Sequence, residues 1–357
     1  MNVLMLPRYS PMGASSRYRF YQYLPHLRHM GFSVTAVPLL DEVYLTSLYA
    51  GRRLPLARVL RSYLHRLRCL VTARRYDVVW LEKEMLPWMP AIAEFVVAPQ
   101  GVPYVADYDD ATFHRYDQHP SPWVRLLLGG KIDRIMARAT VVVAGNKYLQ
   151  QRAEKAGARK VALMPTVIDL ERYTPSRPSS NDVFTIGWIG TPKTVHYLHL
   201  VQPALAEICR RYAARLVNVG GGHVPLDDIP QQAKPWCESG EVAEIQQFDV
   251  GIMPVPDEPW ERGKCGLKLL QYMACGRPVI GSPVGVNQEI IAHEENGFLA
   301  ATVEDWTRAL SRLIEDQALR ERLGSNARRT VEKGYSLAQT APRLGEILRD
   351  AAAGYPA

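Results

Sequence analysis

Short, continuous apolar runs alternate with amphipathic stretches along the first half of the chain. Val3-Leu4-Met5-Leu6 opens it, a loop follows at residues 11–16, and a helical stretch then runs to about Met30. Gly31 ends that helix, and residues 32–37 form a second strand. Val78-Val79-Trp80-Leu81, Tyr104-Val105-Ala106 and Val141-Val142-Val143-Ala144 are further strands, and residues 161–168 close this half. Unbroken apolar runs of this kind suit strands buried on both faces of a parallel sheet.

The polar stretch at 174–182 has the composition of a linker, and after it the alternation starts afresh. Strands are predicted at 184–189, 216–219, 249–253 and 278–280, with helices at about 195–212 and through 267–275. From Val303 onward the chain reads as helical and charged. Two doubly wound α/β domains facing each other across a cleft are the economical reading.

Composition narrows the class. A chain of 357 residues, 47% hydrophobic and 22% charged, has the makeup of a soluble globular protein with two domains. The five cysteines (69, 209, 237, 265 and 275) are scattered without a C-x-x-C pair, which argues against a disulfide framework or zinc ribbon. No apolar run approaches the roughly 18 residues of a spanning helix. The start of the chain lacks a basic leader, so a cytoplasmic protein is expected.

The net charge of +7 sits in one place. Residues 43–76 hold eight arginines (52, 53, 58, 61, 66, 68, 74 and 75) and no acid, leaving 35 basic against 36 acidic residues elsewhere. From Pro55, apolar residues at 56, 59, 60, 63, 64, 67, 70 and 71 lie on one side of a helix. Arg58, Arg61, His65 and Arg68 lie on the other, with Arg66 at the margin. The apolar side is expected to pack on its own domain. The basic side, with Arg52 and Arg53, reads either as a solvated face or as one that attracts anionic lipid or a lipid-phosphate acceptor. Aromatics do not interleave the arginines, so nucleic acid is not an expected partner.

Several loops carry candidate chemistry. Gly13, between the first strand and helix, lets an anion approach the backbone or marks an ordinary turn. The loop is not G-x-G-x-x-G, which disfavours a nicotinamide oxidoreductase. Asp107-Tyr108-Asp109-Asp110 stands at the carboxyl end of a parallel strand, where such sheets bind ligands. It reads as a metal site, a sugar-hydroxyl acceptor, a partner for a developing cation, or a helix cap. Gly190-Thr191-Pro192-Lys193 repeats the glycine-after-strand arrangement, with Lys193 in reach of a phosphate. His196 and His199 have no third metal ligand in view.

The segment from Glu261 through Gly263-Lys264-Cys265-Gly266-Leu267-Lys268 to Gln271 carries the most information. It runs from a lysine- and glycine-bearing loop into a helix, a glycine stop and a buried strand. Loop N–H groups, the helix dipole and Lys264 together suit a diphosphate. Lys268 and Gln271 lie about one turn apart and can face one ligand.

With residues 283–291 and Asn296-Gly297-Phe298-Leu299, this segment resembles the nucleotide-sugar site of the retaining GT-B glycosyltransferases, glycosyltransferase family 4. The resemblance extends over nearly the whole chain. It implies an acceptor-binding domain at 1–173 and a nucleotide-sugar domain at 174–335, with a helix at about 336–357 packing back on the first. It implies a nucleotide-diphosphate sugar as donor, no metal or other cofactor, and domain closure that excludes water. Gly13 matches the family's first loop and Lys193 its phosphate-binding lysine, whereas Thr191 stands where an arginine is usual. Asp109 aligns with a position often held by histidine near the transferred sugar. The family's paired glutamates fall at Gly263 and Gln271. Gln271 retains an amide for ribose hydroxyls, Glu261 offers a carboxylate from the same loop, and Lys264 offers charge to the leaving diphosphate.

The expected protein is therefore a retaining hexosyltransferase of cell-surface polysaccharide or glycolipid assembly, peripheral at the inner face of the membrane. Asp109 and Lys264 are its catalytic candidates. Its donor-binding candidates are Gly13, Gly190, Thr191, Lys193, Glu261, Gly263, Cys265, Gly266, Leu267, Lys268 and Gln271. An epimerase on the same fold is disfavoured by the missing carboxylate at 263. A catalytically inactive sugar-nucleotide binder or assembly partner is the main alternative.

Overall fold

The computed structural model describes residues 1–54, 56–98, 101–176 and 182–354. Pro55, and residues 177–181 of the polar stretch, lie outside them. The chain divides into two units. The first comprises Met1–Thr166, Gly263–Cys265 and Leu337–Ala357, and the second Val167–Arg262 and Gly266–Ser336.

In the first unit, β1 (Asn2–Leu6), β2 (Ser33–Ala36), β3 (Val78–Glu82), β4 (Tyr104–Tyr108), β5 (Val141–Ala144) and β6 (Val161–Leu163) form one sheet. It is parallel throughout, in the order β2-β1-β3-β4-β5-β6. Every side chain of β3 and β5 is buried, which is why these strands read as unbroken apolar runs. The stretch predicted as one helix to Met30 is three pieces: Ala14–Arg19, a 3₁₀ turn Tyr21–Tyr23, and Leu24–His29. Pro25 explains the restart, since proline suits the first turn of a helix and not its interior. The helix Leu337–Ala353 belongs to this unit, and Thr340 hydrogen-bonds Tyr23 at 3.2 Å. Tyr23 and Phe20 in turn pack on Trp80 of β3.

The helix Leu56–Val71 corrects one expectation. Its apolar residues were expected to pack on their own domain, yet Leu56, Leu60, Leu64 and Val71 are exposed. Leu70 is buried with Tyr63 and Leu67 packed on the same core, as expected, and Arg66 is buried beside them. The Arg66 guanidinium donates to the carbonyls of Pro7 and Val37, at 2.8 and 3.0 Å, so it caps strand-end carbonyls rather than lying at the helix margin. Burial lowers its pKa to about 10, outweighing the opposing effect of Cys69, Glu82 and Glu94. Arg52, Arg53, Arg58, Arg61 and Arg68 are exposed as expected, although Arg58 forms a 2.8 Å ion pair with Asp41.

The second unit's sheet runs β12-β11-β10-β7-β8-β9, again wholly parallel. Its strands are β7 (Phe184–Ile189), β8 (Ala214–Val219), β9 (Gln231–Lys234), β10 (Val250–Met253), β11 (Val279–Gly281) and β12 (Gly297–Leu299). This is the nucleotide-binding order, whose direction reverses between β7 and β10. In the first sheet the reversal falls between β1 and β3. Helices Val303–Glu315 and Gln317–Gly334 complete the unit, the first opened by a Thr302/Asp305 capping box. No described helix is long and apolar enough to cross a membrane.

Candidate functional site

Carboxyl ends of strands beside a reversal are where doubly wound sheets bind ligands. In the first unit those ends carry a dense ionic cluster. Just past β3, Lys83 takes a left-handed backbone conformation, φ 64°, which is unfavourable for any residue but glycine. Its ammonium lies 2.7 Å from Asp109 Oδ1, 3.4 Å from Asp110 Oδ2 and 3.0 Å from the Ser15 hydroxyl. Ser15 donates to Asp109 as well. Burial opposes ionisation of Asp109, but the Lys83 charge and the two hydrogen bonds outweigh it and hold the carboxyl below its usual range. Ser15 on the helix after β1 thus meets Lys83 and Asp109 at the ends of β3 and β4.

The neighbouring carboxylates are spent on the scaffold. Asp107 pairs with the buried Arg19 at 2.8 Å, and Arg19 also donates to the Met164 carbonyl. Burial still dominates and raises the Asp107 pKa to about 6. Glu82 accepts from the Arg8 amide and the Ser16 hydroxyl. Glu84 is enclosed by Lys131, Arg8 and Tyr116. The acidic run therefore separates by depth. Asp107 is structural, whereas Asp109 and Asp110 reach the strand-end surface. Among the described residues no three His, Cys, Asp or Glu side chains gather as a metal site.

The segment Gly263–Cys265 belongs to this same unit. Asn146, which caps the helix Lys147–Lys155 through its oxygen, donates from its amide to the carbonyls of Gly263 and Lys264, at 3.0 and 2.9 Å. A Cβ at Gly263 would stand 2.5 Å from the Ala111 Cβ and 2.7 Å from its nitrogen. Gly263 thus has no room for any side chain, a glutamate least of all. Cys265 is buried against Gly145, and burial pushes its thiol well above the ordinary range, so it packs rather than reacts. Lys264 is half-buried, and its ammonium has no partner among the described residues. Gly13 lets the backbone pass Tyr9, whose Cβ would be 2.6 Å from an added Cβ.

In the second unit the loop after β7 and the helix Leu267–Ala274 meet at the reversal. A Cβ on Gly190 would lie 2.4 Å from the Trp188 ring and 2.9 Å from Lys268 Cε. The Lys268 stem therefore crosses the glycine, with its ammonium 5.2 Å from the Trp188 ring centroid. Gly266, at φ 67°, caps the helix, and an added Cβ would strike Ile290. Lys193 is exposed, Thr191 and Leu267 are half-buried, and Glu261 is buried with Tyr197 donating to it. Gln271 lies inward. Its amide donates 2.9 Å to the Tyr173 hydroxyl, which donates to Glu241. The geometry of Gln271 is that of a core hydrogen-bonding residue, not of the open ribose ligand expected from sequence.

Sequence reasoning missed Lys83, and the signal was present: three charged residues, Glu82-Lys83-Glu84, follow an apolar run directly. It also missed Trp188 and Asn218. The Asn218 side chain bonds Gly221 and Gly222 and so shapes the turn after β8.

Two parallel doubly wound sheets of this order define the GT-B fold, the architecture of a class of glycosyltransferases. Residues 180–316, which apart from Gly263–Cys265 lie in the second unit, match the family model described as glycosyl transferases group 1. Among curated relatives, an uncharacterized glycosyltransferase of Methanocaldococcus jannaschii is 28% identical over 182 residues, 47% of this chain and 45% of that one. D-inositol 3-phosphate glycosyltransferase of Kineococcus radiotolerans is 24% identical over 324 residues, 78% of this chain and 72% of that one. The chain thus spans less than half of the first relative's length. Among solved structures, sucrose-phosphate synthase from Thermosynechococcus elongatus superposes with a TM-score of 0.76 at 16% identity, covering 99% of this chain and all (100%) of that one. HepE from Anabaena, solved in complex with UDP-glucose, gives 0.72 at 17%, covering 98% and 100%.

Proposed function

We propose that the protein is a retaining hexosyltransferase. It moves a sugar from a nucleotide-diphosphate sugar to a glycan or lipid-linked acceptor in cell-surface polysaccharide or glycolipid assembly, at the cytoplasmic face of the membrane. The observation that carries this reading is the family match over residues 180–316, the segment that holds Gly190, Lys193 and Lys268. In this reading the second unit takes the nucleotide, with Lys193, Lys268 and the amides after Gly266 neutralising the diphosphate. Lys264 offers charge to the departing diphosphate. Asp109 faces the positive charge that develops at the anomeric carbon, and Lys83 and Ser15 hold it ionised. Protein ammonium groups meet the leaving-group charge here, and no cofactor is invoked.

The test is thermal shift against UDP-, GDP-, ADP- and dTDP-sugars, with Lys264→Ala and Lys193→Ala beside wild type. A ligand at 100 times its dissociation constant should stabilise by roughly 2.7 kcal/mol. A shift with one nucleotide, lost or reduced in the variants, supports the reading. Absence of any shift in folded protein overturns it. NMR of the product's anomeric configuration then tests retention.

One observation favours the second reading, an inactive sugar-nucleotide binder. Ala111 leaves no room for a side chain at 263, the position of one of the family's paired glutamates. Donor binding with neither transfer nor hydrolysis would select that reading.

A further inference from the structure

The first unit carries an apolar face that its own core leaves uncovered. Among the described residues, the large apolar side chains exposed in the second unit are Val183 and Leu200, and the rest belong to the first. Apart from Val43 on the helix Glu42–Tyr49, they fall on three helices and one turn. Leu56, Leu60 and Leu64 lie on the helix Leu56–Val71, and Ile92 and Val96 on Ala91–Val97. Pro122–Leu128 presents Trp123, Leu126 and Leu127, each at least 65% exposed. Trp88 and Met89 project from the turn between β3 and Ala91–Val97.

These side chains share one region. The Tyr63 hydroxyl donates 2.8 Å to the Pro87 carbonyl and ties the first helix to that turn. Trp88 packs edge-on over His119, 5.8 Å between centroids, and His119 accepts from the Ser121 amide at the start of Pro122–Leu128. The Trp88 backbone is itself left-handed, φ 63°, a strained conformation for a bulky residue that is here half exposed.

The charge on the face has one sign. Arg61 and Arg68 are exposed on the first helix, and Arg125 is exposed between Trp123 and Leu126, its guanidinium on the His119 and Pro120 carbonyls. No acid occurs from 43 to 76. A second copy of the chain would bring arginines against arginines. An anionic bilayer instead takes leucine and tryptophan into its interfacial zone while the guanidinium groups reach lipid phosphates.

We propose that this face docks on, and inserts shallowly into, an anionic lipid bilayer, with the Trp123-Leu126-Leu127 edge as its deepest part. The inference deepens the lipid-linked acceptor reading above and rests on it, but its test uses neither donor nor acceptor. Failed vesicle binding and failed donor binding are therefore separate results.

The experiment is co-sedimentation of the full chain with phosphatidylcholine vesicles, with and without phosphatidylglycerol, at low and high salt. Binding should require phosphatidylglycerol and weaken with salt. Leu126→Glu combined with Leu127→Glu should lower the partition at least about tenfold, and thermal unfolding should not move because both side chains are exposed. Phosphatidylglycerol with brominated chains should quench tryptophan fluorescence, less so in Trp123→Phe. Absence of binding, equal binding to phosphatidylcholine alone, or unchanged binding of the Leu126/Leu127 variant would each overturn the proposal. Self-association of lipid-free protein that the same variant abolishes would also overturn it, by assigning the face to a second copy.

Discussion

Lys83 Nζ stands 2.7 Å from Asp109 Oδ1, and the lysine accepts a left-handed backbone to place it there. The pair joins two strand ends, and the Lys83 charge holds the Asp109 carboxyl below its usual range. Asp109→Asn preserves shape and removes the charge. Transfer should fall about 100-fold in kcat, with donor affinity by calorimetry little changed. Lys83→Met leaves the Asp109 carboxylate, 12% exposed, without its counter-ion and should cost stability as well, about 3 kcal/mol in denaturant unfolding.

A glutamate placed at 263 should add no activity. The Ala111 backbone nitrogen lies 2.7 Å from where a Cβ would stand, and backbone yields less readily than a flexible side chain. Gly263→Ala alone should destabilise by roughly 1–3 kcal/mol. Gly263→Glu should be at least as unstable and no more active than wild type. Chemical denaturation with a transfer assay on the same samples checks both.

Lys268→Met keeps an apolar stem over Gly190 and Trp188 and deletes the ammonium. Nucleotide Kd should rise about tenfold, read by calorimetry, with the ligand-free melting temperature nearly constant. A variant that melts early without a change in Kd would give Lys268 a packing role only.

Asp107 offers a pH test. Its folded pKa is raised to about 6 from an ordinary 3.8, so the folded state holds the proton longer than the unfolded chain. Such a group favours the fold at low pH and costs stability as pH rises through 4 to 6. Over that window, the stability of wild type relative to Asp107→Asn should fall by roughly 3 kcal/mol. Urea melts at several pH values would show it, and a gap independent of pH would refute it.

Much of the scaffold was legible because burial on both faces leaves a plain mark, as in Val78–Leu81 and Val141–Ala144. The edge strand Gln231–Lys234 leaves none, since an exposed edge tolerates Gln-Gln-Ala-Lys. Periodicity found the helix at 56–71 and the edge of its apolar side that packs on the core, Tyr63, Leu67 and Leu70, but not the burial of Arg66. A guanidinium long enough to reach two carbonyls went inside, and leucines stayed out. The site was half legible. Glycines and lysines flag the loops, but the depth that separates Asp107 from Asp109, and the backbone angle of Lys83, are tertiary facts with no local signature.

The covalent chain passes from one unit to the other four times, after Thr166, Arg262, Cys265 and Ser336. The three-residue visit at 263–265 is anchored by Asn146, and the final helix by Tyr23. Residues 167–336 exchanged as one cassette would therefore carry three residues of the first unit with them. The incoming 263–265 loop must fit the host's Ala111, Gly145 and Asn146. Point substitution within the existing units leaves those contacts intact.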